Sequence, residues 1–169
     1  MKLAAAVIIA GTLLSIGFCM ETSRKETAKQ LQELIRFLLF AGQEIEIRGS
    51  ILEEVFTKAA SIRQGATKEL VSRMAKRMAE GGDFLQEWSH AVNEVYRKMG
   101  WNEQEEELIL HCASDFLLFE RKMVKEQLFF DANQLSQLYE KRIMKLGNEC
   151  KLCRVLSFCA AAFLLILLW

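Results

Sequence analysis

Through the middle of the chain, apolar residues recur every three or four positions, the period of an amphipathic helix. Leu31, Leu34, Ile35, Leu38, Leu39 and Ile45 form a first stripe, with Glu33, Arg36, Gln43 and Glu46 off it. Gly49-Ser50 interrupts the pattern, and Ser50 followed by Glu53 predicts an N-cap. Ile51, Leu52, Val55, Phe56, Ala59 and Ile62 make the next stripe, which Gly65 is expected to end. Thr67 is then expected to cap a helix carrying Leu70, Val71, Met74 and Met78. Gly81-Gly82 is the clearest break, after which Asp83 and Gln86 have capping-box spacing. The fourth helix presents Phe84, Leu85, Trp88, Ala91, Val92, Val95 and Met99, and Gly100 stops it. Asn102 is expected to cap a fifth helix with Leu108, Ile109, Cys112, Phe116, Leu117 and Phe119 on its apolar side. The last helix starts near Glu120 and repeats Met123, Val124, Leu128, Leu135, Leu138, Tyr139, Ile143 and Leu146, with a kink expected at Gly147-Asn148. No period-2 segment and no internal repeat appears, so the middle reads as an antiparallel helical bundle with short loops.

The two ends differ from this middle. Leu3 to Met20 carries no charge, and eighteen helical residues span roughly 27 Å, close to the hydrocarbon thickness of a bilayer. Val155 to Trp169 is a second unbroken apolar run of about 22 Å, which Leu152 and Cys153 extend. Arg154 is placed to snorkel to one interface and Trp169 to anchor at the other. The expected organisation is an N-terminal transmembrane segment at 1–20, a helical bundle at 21–151 and a C-terminal transmembrane segment at 152–169. Arg24, Lys25 and Lys29 follow the first block, and Lys141, Arg142, Lys145, Lys151 and Arg154 precede the second. By the positive-inside rule these cations put the middle domain in the cytoplasm. Two other readings compete. The first block contains a small-x-small site at Ser15-Ile16-Gly17 that suits a cleaved signal peptide, and the second block has the apolarity of a buried core helix.

Composition narrows the class. Lys+Arg and Asp+Glu are 22 each, so no basic excess is present to hold a nucleic-acid backbone. Proline is absent, which favours uninterrupted helices. Candidate chemistry is sparse. His90 and His111 lack a second histidine at ligand spacing, and His111 and its neighbour Cys112 diverge around a helix, so no metal site is expected. Cys150 and Cys153 form one C-x-x-C without the second pair a structural zinc site needs, and Cys19 and Cys159 lie within apolar blocks. The acidic run Glu103, Glu105, Glu106 and Glu107 is accounted for by a helix start. Phosphate-loop, dinucleotide and nucleophile-elbow motifs are missing, so no enzyme activity and no cofactor is expected.

The order of parts resembles one family. A charge-free segment precedes L-Q-E-L-I-R-F-L-L-F-A-G-Q-E-I-E-I, Leu31 to Ile47; F-L-Q-E-W-S-H-A-V follows at Phe84 to Val92; a long charged helix leads to L-L-I-L-L-W at the end. This is similar to the stage III sporulation protein AB family, itself similar in its helical domain to the membrane component F of type II secretion systems. Glu44 and Ile45 match the family's E-I, Ser50 falls where a Thr is usual, Leu52 matches a Leu, and Trp88 matches the family's Trp. Arg48 and Ile51 replace a usual Gly and Pro. A later glycine-containing motif is poorly kept from Leu110 to Glu120.

The resemblance implies an integral membrane protein of the mother cell that takes part in endospore formation. It implies membership of a secretion-like channel complex between mother cell and forespore. The implied partners are a cytoplasmic ATPase, stage III sporulation protein AA, other stage III membrane subunits and membrane lipid. The alternative function is a helical sensory or ligand-binding domain outside the cell, held by a C-terminal anchor.

Overall fold

The structure is a computed structural model that describes residues 26–168, with the side chains of 96–99, 146, 148–154, 156–158 and 160–168 outside the description. Every element is helical, and no strand occurs among the described residues. Helix α1 covers 26–43 and opens into a π-helical turn, Glu44–Arg48. Then follow α2 (Leu52–Ile62), α3 (Gly65–Ala79), α4 (Phe84–Met99), α5 (Glu103–Asp115) and α6 (Arg121–Leu168). Two compact units divide the chain, and residues Lys29–Tyr139 form the one in which the core lies.

The helices of this body fold back on one another as successive hairpins. Gly49 adopts a left-handed conformation (φ 64°), and its N–H donates to the carbonyl of Glu44. A side chain there is strained, and the guanidinium of Arg121 fills the space a Cβ would need. Only Arg63 and Gln64 separate α2 from α3, and the side chain of Gln30 on α1 holds that junction. Its Oε1 accepts from the Ala66 N–H at 3.0 Å, while the Thr67 hydroxyl donates to the Gln30 carbonyl at 3.4 Å. Asp83 accepts from the Gln86 N–H at 2.9 Å, capping α4 as its sequence predicts. Asn102 and Glu105 form a reciprocal capping box at the start of α5, with bonds of 2.8 and 2.9 Å.

One core joins all six helices. At its centre Phe56 meets Phe37, Phe116, Phe84 and Trp88 at centroid distances of 5.3, 5.6, 5.9 and 6.1 Å. Trp88 is fully buried and donates its indole N–H to the Ile109 carbonyl at 2.9 Å, so the polar edge of the ring has a partner inside the core.

Several local expectations change. Ser50 does not cap α2. Its hydroxyl accepts from Lys58 Nζ at 3.2 Å, and the helix starts from Ile51 in extended conformation. Gly65 opens α3 instead of closing α2, because the Gln30 amide packs against it, and Thr67 is a buried first-turn residue instead of a cap. The backbone of α6 is helical through Gly147 and Asn148. Ile51, Ile62, Leu85, Leu117, Phe119, Met123 and Ile143, expected inward, are exposed, whereas Phe37, Ala41 and Ala132 join the core. Among the described residues no helix is long and apolar enough to cross a membrane. The transmembrane segment expected at 1–20 lies outside the described residues. So do the side chains of Arg154 and Trp169 and those of Cys150 and Cys153.

Candidate functional site

Four of the five positions that carry the resemblance meet at the turn between α1 and α2. In the π-helical turn both Glu44 and Ile45 are buried. The Glu44 carboxylate accepts from Lys58 Nζ at 3.0 Å and lies 3.3 Å from Arg48 Nη1. Lys58 also reaches Ser50, so one ammonium ties the turn to α2. Leu52 is the first residue of α2 and packs half-buried against the core. Within the same π-helical turn, Glu46 pairs with Lys125 of α6 at 2.6 Å. This contact and the Arg121–Gly49 packing bring the α1–α2 turn and the α5–α6 turn to the same end of the body. Exposed apolar side chains gather on these two turns: Ile47 (74% exposed) and Ile51 on one, Leu117, Leu118, Phe119 (109%) and Met123 on the other. Trp88 lies apart, inside the aromatic core.

A second cluster stands where α5 meets α6. His111 and Asp115 are one turn apart on α5, and His111 Nδ1 is 3.3 Å from Asp115 Oδ2. Asp131 comes from α6. One ligand atom from each of His111, Asp115 and Asp131 lies within 4.8 Å of the other two. Asp131 is 1% exposed and Asp115 6%, yet the Oδ2 atoms of both have no hydrogen-bond partner. Burial, together with the adjacent Asp115 carboxyl, pushes the Asp131 carboxyl up to about 7. Burial and the same two carboxyls push the Cys112 thiol well above its ordinary value, and its S–H is directed to the Leu108 carbonyl at 3.1 Å. Cys112 is therefore a protonated, inert thiol. The His111 side chain is 62% exposed, so the cluster reaches solvent through its imidazole.

This arrangement departs from the expectation that His111, with no second histidine at ligand spacing and Cys112 diverging from it, belongs to no metal site. A usable signal was present. Asp131 falls between Leu128 and Ala132 on the apolar stripe of α6, and Asp115 falls between Cys112 and Phe116 on that of α5. A carboxylate at a core position of two helices is the mark of a pair. The remaining candidates are ordinary. His90 is exposed beside a shallow surface cleft between α3 and α4, where Arg73 pairs with Glu69 and Glu94, and Arg77 with Glu87. In the acidic start of α5, Glu105 turns inward to complete the capping box.

The fold and these sites define a small all-helical protein with a cross-braced turn at one end of its body. The chain belongs to the stage III sporulation protein AB family, whose model matches residues 2–169. It is thus a sporulation-related protein, and the family is a structural one. No curated protein and no solved structure matches it.

Proposed function

We propose that the chain is a non-enzymatic membrane component of the secretion-like channel complex between mother cell and forespore, with its helical body docking the sporulation ATPase on the cytoplasmic side. Family membership over residues 2–169 is the observation that carries this reading. The apolar blocks at 1–20 and 152–169 supply two anchors by sequence hydropathy, and the flanking cations orient them. The docking face is the end formed by the α1–α2 and α5–α6 turns. Exposed clustered apolar side chains mark interaction surfaces, and Ile47, Ile51, Phe119 and Met123 have no role in the core.

Deletion of the gene is expected to block sporulation after engulfment, and normal spore yield would remove the assignment. A double variant, Ile51→Ser with Phe119→Ser, is expected to keep its melting temperature and lose capture of the ATPase. Undiminished capture would move the docking face elsewhere. A reporter fused near Gly82 is expected to be active only as a cytoplasmic reporter. Alkaline phosphatase activity at that site would instead support the extracytoplasmic, sensory alternative.

A further inference from the structure

We propose that His111, Asp115 and Asp131 form a divalent-cation site that pins the C-terminal end of α5 to α6. Two carboxylates buried side by side repel each other. The Oδ2 atom of each is buried without a hydrogen-bond partner, which leaves two carboxylate oxygens unsatisfied in the core. A cation between them neutralises both and uses the two idle oxygens as ligands. His111 supplies the third donor through Nδ1, which already stands 3.3 Å from Asp115 Oδ2.

The donor set points to the kind of ion. One imidazole nitrogen and two carboxylate oxygens suit zinc or manganese, whereas magnesium and calcium favour all-oxygen shells. Ligand atoms around a tetrahedral ion with bonds of about 2.1 Å stand roughly 3.4 Å apart. The ligand atoms here lie within 4.8 Å of one another. Closing the shell therefore needs ligand-atom movements of about 1 Å. The site has an open side: the exposed imidazole borders solvent, which lets an ion in and leaves room for water as a remaining ligand. A binding role also accounts for two charged residues on otherwise apolar faces, since a packed core alone is served better by apolar side chains. The competing account is one proton shared between the two carboxyls, and it makes the opposite forecast for added metal.

The test uses the full chain in detergent, stripped with EDTA and dialysed. Manganese is the first probe, because it disfavours the thiolates of Cys150 and Cys153. Zinc is added to a variant carrying Cys150→Ser and Cys153→Ser. Calorimetry is expected to show one ion per chain, and the melting temperature is expected to rise with ion concentration until the site fills. Asp131→Asn and Asp115→Asn are each expected to weaken binding at least about tenfold and to abolish the thermal shift. In EDTA the Asp131→Asn protein is expected to melt no lower than the unmodified chain, since a buried repulsion has been removed; this separates lost binding from lost folding. The proposal is overturned if manganese, zinc, magnesium and calcium all leave the melting temperature unchanged. It is equally overturned if both asparagine variants bind as the unmodified chain does.

Discussion

Replacing Phe56 by alanine is the sharpest test of the packing described above. Phe56 is completely buried and contacts all four other rings of the described aromatic centre, Phe37, Phe84, Trp88 and Phe116. Truncating a buried Phe to Ala costs about 3–5 kcal/mol through lost transfer energy and the cavity left behind. Each aromatic pair adds roughly 0.5–1.5 kcal/mol beyond area burial, and Phe56 forfeits four such pairs at once. The loss therefore belongs at the upper end of that range, about 4–5 kcal/mol. A domain of this size has about 5–15 kcal/mol of stability in total. With a urea slope of about 2 kcal/mol per molar, the midpoint is expected to fall by about 2 M. Equilibrium urea unfolding of the full chain in detergent, followed by tryptophan fluorescence, measures this directly, since Trp88 packs against the mutated ring. Phe119→Ala is the control. Its ring is fully exposed, so its midpoint is expected to stay within about 0.5 kcal/mol of the parent. A loss below about 1 kcal/mol for Phe56→Ala, or an equal loss for Phe119→Ala, would refute the assignment of the core.

Other outcomes follow from single contacts. Asn102→Ala removes the acceptor for the Glu105 N–H and breaks the capping box, and is expected to cost about 1 kcal/mol in denaturant unfolding. Gly49→Ala forces a Cβ into a left-handed position already crowded by Arg121, and is expected to lower stability by about 1–3 kcal/mol in the same assay. Glu44→Gln removes the charge that holds Lys58 and Arg48. Both cations reach solvent, so a loss of only about 1 kcal/mol is expected, measured by thermal unfolding.

Much of the fold can be read from the chain because its signals are local. Asp83 and Asn102 cap the helices their spacing predicts, and Gly49 and Gly100 end helices with positive φ, which few other residues tolerate. The errors occur where a distant residue decides. Gly65 looked like a terminator, but the Gln30 amide, from α1, packs on it and makes it the first residue of α3. Ser50 looked like a cap, but Lys58 claims its hydroxyl. Apolar residues at loop edges, such as Leu117 and Phe119, continued the stripe of α5 in sequence although the helix had already ended at Asp115. Each aspartate stands out locally on its apolar stripe, but their pairing does not, because Asp115 and Asp131 come together only when α5 and α6 pack. Periodicity reports which face turns inward, and tertiary contacts choose the partners on it.

The π-helical turn at Glu44–Arg48 has a consequence for how the chain tolerates changes in length. A π turn holds one residue more than an α turn over the same stretch of axis. Losing one residue between Gln43 and Gly49 would let the turn tighten to an ordinary α-helix, with Gly49 still reversing the chain. The same deletion earlier in α1 would rotate everything after it by about 100° and turn Leu38 and Ile45 away from their neighbours. The widened turn is thus a slack link, placed next to the junction where Arg121 and Lys125 clamp α1 to α6. Proteins of this family with shorter first helices are expected to differ in length at that link and nowhere else along α1.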